Sequence, residues 1–189
     1  MGKSTAAAMF RRMGLPVFDA DACVHALMAP NGAALRDIAE RFPGAAGPAG
    51  VDRKALGDAV FADAAALRDL EAILHPRVGT ARTAFLAACA RRRTRFAVLD
   101  VPLLLEGGSD ALCDLVVVIS APAYLQRQRV LRRPGMTVEK FSGVLARQMS
   151  DAEKRRRADC VVTSALGRRE TWRRLRHLLM VACRRRDRS

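Results

Sequence analysis

Aromatic residues make up only 5% of this 189-residue chain, lysine occurs only at positions 3, 54, 140 and 154, and its five cysteines include no C-x-x-C pair. Each scarcity excludes something. The arginine runs at 91–93 and 184–186 lack the interleaved aromatics of a single-strand nucleic-acid platform. Cys23, Cys89, Cys113, Cys160 and Cys183 are scattered and odd in number, which argues against a zinc site or a disulfide framework. They read as small buried apolar residues. No apolar run approaches the ~18 residues that span a membrane. The longest, residues 115–119, is strand-sized. No signal-peptide core opens the sequence, so the expected location is the cytoplasm and no membrane partner is expected.

What is present is a soluble, globular composition: half the residues are hydrophobic and 28% are charged. The length suits one domain with a sizeable insertion. The formal charge of +14 comes almost entirely from arginine. Such a field draws anions: nucleic acid, an anionic membrane surface or phosphorylated metabolites. Solvated helix faces are the favoured account of the two arginine runs, and no recognisable nucleic-acid module accompanies them.

Along the chain, short apolar runs alternate with helical patterns. Residues 4–13 read as an Ala-rich helix ended by Gly14. Residues 15–18 read as a buried strand that stops at Asp19-Ala20-Asp21, after which a helix resumes. Residues 31–93 are mainly helical, with a Pro/Gly-rich turn at 43–48 and a break and restart at His75-Pro76. Strands are expected at 96–99, 115–119 and 160–163. Ser120 and Pro122 signal a helix start, a further helix is expected at 138–149, Ser150-Asp151-Ala152-Glu153 has capping-box spacing, and a last helix runs over 168–183. Continuous apolar strands separated by helices point to a parallel sheet covered on both faces.

The chemistry-bearing positions follow. Gly2-Lys3-Ser4-Thr5 matches the end of G-x-x-x-x-G-K-[ST], a loop whose backbone N–H groups cradle phosphate at a helix N-terminus. There Lys3 reaches the β/γ-phosphates and the Ser4 hydroxyl holds Mg²⁺. As an isolated tetrapeptide this is a weak signal, strengthened by the helix that follows. Asp19 and Asp21, two apart on extended chain, face one side at a strand's carboxyl end, where open α/β sheets bind ligands. Asp19 has the alternative of capping the next helix; Asp21 is the candidate base. An ordinary aspartate, pKa ~3.9, suffices where the phosphoryl transition state is loose and positioning dominates. Two readings stand for Asp100: an acid that holds Mg²⁺ through water, or a local turn residue. Two also stand for the arginines at 127, 129, 132 and 133: a phosphate-closing hairpin, or a solvated basic helix.

In order along the chain stand G-K-S-T at 2–5, V-F-D-A-D-A at 17–22, L-H-P-R at 74–77, D-V-P-L-L-L-E at 100–106, V-V-V-I-S-A-P at 116–122, R-R-P-G-M-T at 132–137, A-R-Q-M at 146–149 and A-D-C-V-V at 158–162. Together they resemble the dephospho-CoA kinase family over nearly the whole length. The resemblance implies a three-layer α/β/α P-loop kinase fold with a parallel sheet. It divides a single domain into a core (1–30, 94–126, 158–189), a helical CoA-binding insertion (31–93) and a lid (127–157). It implies ATP and dephospho-CoA as substrates and Mg²⁺ as the metal, with the γ-phosphate passing to the ribose 3′-hydroxyl. It makes Asp21 the general base, with Lys3 and Arg133 also catalytic. ATP falls to Gly2, Lys3, Ser4, Thr5, Arg129, Arg133 and Arg147. Dephospho-CoA falls to Asp21, His75, Pro102, Leu103, Leu104 and Glu106, and metal to Ser4 and Asp100. The family's frequent Asn near the end of the last strand is here replaced by Thr163-Ser164-Ala165, so no adenine contact is assigned. No specific nucleic acid is expected as a partner.

The family's full loop requires about four further residues before Met1, preceded by a strand. Family loops of the type G-S-I-G-M-G-K-S-T place a methionine at that position. The expectation is that the first strand is missing, that the natural protein is longer, and that the chain as written is impaired in ATP binding and stability. Reading the genomic sequence upstream in frame decides it. Competing expectations are a kinase for a different small acceptor, an arginine-rich nucleic-acid binder and a catalytically dead remnant.

Overall fold

The structure, a computed structural model, describes residues 2–132, 135–146 and 148–186. The chain divides into two compact units. One takes the residues up to Leu15 and those from Pro102 onward; the other is Pro16–Val101.

In chain order the first unit opens with helix α1 (Lys3–Arg12), whose Ala6, Ala7, Met9 and Phe10 are buried at helical spacing. Arg11 and Arg12 fall in its last turn, where cations suit the helix dipole.

The second unit begins with strand β1 (Val17–Asp19) and helix α2 (Ala20–Leu27). The strand starts two residues later than the apolar run suggests. The Leu15 N–H is taken by the Phe10 carbonyl in the turn that closes α1, and Pro16 has no N–H to offer. Helix α3 (Leu35–Arg41) follows, then a small antiparallel hairpin, β2 (Ala46–Gly47) with β3 (Gly50–Val51), inside the expected Pro/Gly turn. Helix α4 (Arg53–Ala62) and the 28-residue helix α5 (Ala64–Arg91) start at Asp52 and Asp63, whose carboxylates accept backbone N–H groups. Strand β4 (Val98–Asp100) then pairs parallel with β1, placing Asp19 beside Asp100.

Helix α5 corrects the expected break at His75-Pro76: it runs straight through Pro76. A proline inside a helix removes one bond and crowds the preceding turn. The proline leaves the Ala72 carbonyl without its usual intrahelical donor, and the guanidinium of Arg77 braces the neighbouring turn. It donates to the Ile73 carbonyl at 2.6 Å and the Ala33 carbonyl at 3.2 Å, and pairs with Asp37 of α3. The apolar centre of this unit is Ala34, Ile38, Phe42, Ala45, Leu56, Ala66 and Leu74. Phe18 of β1 and Phe85 of α5 meet with ring centroids 5.7 Å apart.

The first unit resumes with a turn from Pro102 that ends in a 3-10 segment, Ser109–Leu112. Strand β5 (Val117–Ser120) pairs parallel with β6 (Cys160–Thr163). The expected strand at 115–119 is shifted one to two residues onward. The Val116 N–H is diverted to the Asp159 carboxylate at 2.7 Å, while its carbonyl still accepts the Cys160 N–H at 3.2 Å. At the other end Ser120 is drawn in by the Ser164 N–H, which donates to its carbonyl at 2.8 Å. Helices α6 (Ala123–Leu131), α7 (Val138–Ala146) and α8 (Asp151–Arg157) lie between these strands in sequence. Pro122, not Ser120, occupies the position before α6, and Ser120 is buried at the strand end. Ser150 caps α8 as its spacing predicts, accepting the Glu153 N–H at 3.2 Å. Helix α9 (Arg168–Arg186) closes the chain; its Leu175 is fully buried, and Arg12 of α1 lies 5.5 Å over its Trp172.

The fold is thus mixed α/β with parallel strand pairs, as expected of a P-loop kinase. Ile38 is fully buried at the centre of the Pro16–Val101 unit. Ile38→Ala is expected to lower stability by about 2–5 kcal/mol, through lost transfer energy and a residual cavity. Urea unfolding followed by circular dichroism checks this; an unchanged midpoint would contradict the packing described.

Candidate active site

The start of α1 is shaped to receive something. Gly2 stands at the position before the helix with φ of 118°. A Cβ there would lie 3.1 Å from Ile119 Cγ2 and 3.2 Å from Ser164 Cβ and Oγ. Only glycine combines that dihedral with that close approach. The first turn, Lys3-Ser4-Thr5, contains no acid and no side-chain cap. Its N–H groups and the positive end of the helix dipole are therefore directed at whatever anion binds. The Lys3 ammonium nitrogen is buried, while Ser4 is exposed.

Ser164, just beyond β6, organises the surroundings. Its hydroxyl donates to the Ser120 carbonyl at 3.2 Å. Arg129 of α6 donates from Nη1 to Ser164 Oγ at 2.9 Å and from Nη2 to the Ser164 carbonyl at 3.0 Å. Sequence reading placed Arg129 toward phosphate; its guanidinium is here seated on the strand end that abuts Gly2. Arg133 and Arg147 lie outside the described residues.

In the same unit, residues 102–108 form a tight turn. The Gly107 and Ser109 N–H groups donate to the Leu103 and Leu104 carbonyls at 2.9 and 3.0 Å. Pro102 and Leu104 are half-buried, Leu103 is exposed with φ of 55°, and Leu105 is buried. Glu106 turns toward α8: Lys154 Nζ is 3.0 Å away, and the Met149 N–H donates to it at 2.9 Å. Burial pushes its carboxyl up, but Lys154, its own backbone N–H and that of Met149 outweigh this and hold it below the ordinary glutamate range.

The remaining candidates belong to the Pro16–Val101 unit. The extended chain ends at Asp19, whose carboxylate caps α2 by accepting the Ala22 N–H at 3.0 Å. The alternative role weighed for Asp19 is therefore the one observed. The shared-face argument for Asp19 and Asp21 does not hold, because Asp21 lies in the first turn of a helix. It is exposed there. Asp100 is buried, 5% exposed, at the carboxyl end of β4. His75 is exposed on α5. Among the described residues no three acids, histidines or cysteines gather into a metal-holding cluster, and no helix is long and apolar enough to cross a membrane.

Sequence reasoning missed Ser120, Ser164, Asp151 and Lys154. Ser120 Oγ donates to both Asp151 oxygens at 2.9 and 2.8 Å, and Gln126 Nε2 adds a bond to Asp151 at 3.2 Å. Only the capping-box spacing at 150–153 signalled that α8 starts there.

The family model of dephospho-CoA kinase matches residues 1–167. The chain belongs to the dephospho-CoA kinase family. The dephospho-CoA kinase of Paramagnetospirillum magneticum is 57% identical over 155 residues, 82% of this chain and 73% of that protein. That of Rhodospirillum rubrum is 51% identical over 96% of this chain and 87% of its own length. Among solved structures, TT1252 from Thermus thermophilus superposes with a TM-score of 0.79 at 31% identity, covering 96% of this chain and 91% of that one. As a member of the dephospho-CoA kinase family, the chain is an ATP-dependent kinase of coenzyme A biosynthesis.

The contacts at Gly2 generate a test. In Gly2→Ala the added methyl meets Ile119 and Ser164 on a backbone that disfavours it. A misplaced phosphate grip is expected to cut kcat/KM for ATP by about 10²-fold. Steady-state kinetics at varied ATP checks this, with parental values counting against the role assigned to the loop.

Proposed function

We propose that this kinase transfers the ATP γ-phosphate to the ribose 3′-hydroxyl of dephospho-CoA, using the residue roles that follow. The observation that carries the reading is the acid-free, uncapped start of α1, with Gly2 pressed against Ile119 and Ser164. The backbone of Gly2, Lys3, Ser4 and Thr5 cradles the β/γ-phosphates, and Lys3 supplies a compact cation to the transferring group. Arg133 and Arg147 add charge stabilisation, and Arg129 supports the nucleotide end through Ser164. Asp21 accepts the 3′-hydroxyl proton and orients the nucleophile. His75, Pro102, Leu103 and Leu104 border dephospho-CoA, together with the loop that carries Glu106.

The donor set suits Mg²⁺. Ser4 and Asp100 offer only hard oxygen ligands, and Mg²⁺ takes one or two protein oxygens plus phosphates and water. When bound, the ion neutralises charge on the β/γ-phosphates. The core, insertion and lid boundaries at 30/31, 93/94, 126/127 and 157/158 remain the partition we propose. Demand for ATP makes the cytoplasm the proposed location.

Because catalysis here is mainly positioning and charge stabilisation, removing the base leaves substrate binding intact. Asp21→Asn is expected to reduce kcat by about 10²–10⁴-fold, with nucleotide affinity unchanged within about twofold. ADP release with dephospho-CoA and, as control acceptors, nucleoside monophosphates checks both base and acceptor. Near-parental turnover of the variant, or preference for a monophosphate, would refute the assignment.

A further inference from the structure

Glu106 is a site candidate whose side chain is turned into a polar clamp. The turn that carries it is closed on itself: Gly107, Gly108 and Ser109 N–H groups return to the Leu103, Leu105 and Leu104 carbonyls. Residues 102–109 therefore shift as one piece. Leu103, a non-glycine residue at φ of 55°, is held in a conformation that L residues disfavour and that persists only when its surroundings fix it. Two things anchor the piece: buried Leu105, and Glu106 with its bonds to Lys154 and the Met149 N–H.

The far side of the clamp is itself immobilised. Helix α8 is fixed by Asp151, which accepts from the buried Ser120 hydroxyl and from Gln126, itself bonded to the Ala121 carbonyl at 2.8 Å. Arg157 reaches Asp110 at 3.4 Å. The Glu106 and Lys154 side chains are only 18% and 23% exposed. A pair so withdrawn from water holds geometry that an exposed pair does not.

We infer that Glu106 is a positioning residue of the kinase: clamped to α8 through Lys154 and the Met149 N–H, it sets the placement of the 102–105 turn and so governs affinity for dephospho-CoA rather than ATP. This rests on the reading that Pro102, Leu103 and Leu104 border dephospho-CoA. A carboxylate already accepting from Lys154 and the Met149 N–H also has less acceptor capacity left for direct contact with a substrate.

The test compares Glu106→Gln, Lys154→Met and the double variant by steady-state kinetics, with Leu103→Asp as a probe of the turn. Glu106→Gln keeps an acceptor for the Met149 N–H and preserves volume, and thermal unfolding verifies folding of each variant. Either single change is expected to raise KM for dephospho-CoA about fivefold, with KM for ATP unchanged within about twofold and the double variant no worse than the singles, as for partners in one interaction. Additive effects, or a silent Lys154→Met beside an impaired Glu106→Gln, would overturn the inference in favour of direct substrate contact. If Leu103→Asp alone raises that KM, the placement of the acceptor stands and the inference fails. If all four variants are silent, the placement fails with it.

Discussion

The Ser120–Ser164 junction is the constraint on which the unit that carries α1 depends. Two parallel strands end side by side, and the chain leaving β6 turns back so that both the N–H and the hydroxyl of Ser164 donate to one carbonyl, that of Ser120. That leaves each serine able to serve a second element. Ser164 receives Arg129 of α6 and lies against Gly2. Ser120 gives its hydroxyl to Asp151 of α8. Three helices are thereby referenced to one strand end. In a reaction whose catalysis is mostly positioning, such shared anchoring is what a fold can contribute. Both serines are buried, so an unsatisfied hydroxyl at either would cost more than an ordinary surface bond.

The other unit solves a related problem with acids. Parallel pairing sets Asp19 beside Asp100 at the carboxyl ends of β1 and β4. Repulsion between neighbouring carboxylates opposes this arrangement. The helix start relieves part of it, because the Asp19 carboxylate is spent on the Ala22 N–H. The cap also fixes where α2 begins, and so places Asp21 in its first turn. Two acids of the same D-A-D triplet thus take different places: Asp19 ends the strand as a cap, and Asp21 sits exposed in the first turn of α2.

Much of this was legible in the residues. Strand β6 falls on 160–163 as read, and the helix starts at α1 and α8 and the parallel pairing follow from patterning and capping. The helix start after Gly2 was readable too, since a Gly-Lys-Ser-Thr run with no acid in the first turn marks it. What escaped was decided by contacts distant in sequence. Pro76 looks like a break, yet α5 continues through it, in a helix that Arg77 ties to Ala33 and to Asp37 of α3. The strand at 115–119 shifts because Asp159, 43 residues away, captures the Val116 N–H. The D-A-D triplet looks like one extended face until the cap at Ala22 ends the strand. Ser120, Ser164 and Lys154 carried no local signal, since a lone serine or lysine acquires its role only from the partner that the fold brings to it.

The charge of the chain divides along the same line. Some arginines are committed to structure: Arg77 to Asp37 and two carbonyls, Arg129 to Ser164, Arg41 to Asp69. The guanidinium forks of Arg77 and Arg129 satisfy several acceptors at once, which lysine's point charge does not do. Others, such as Arg91 to Arg93, are exposed and add to a field that attracts anions over a distance set by salt screening. ATP and dephospho-CoA are both polyanions, so that field favours the encounter of either with the enzyme without choosing between them. Such a field leaves discrimination to short-range shape, and in the roles proposed above that shape is Gly2 against Ser164 for the nucleotide and the closed turn at 102–109 for the acceptor. A basic composition that first suggests nucleic acid is, in this fold, compatible with two small phosphorylated substrates and a few tightly held contacts.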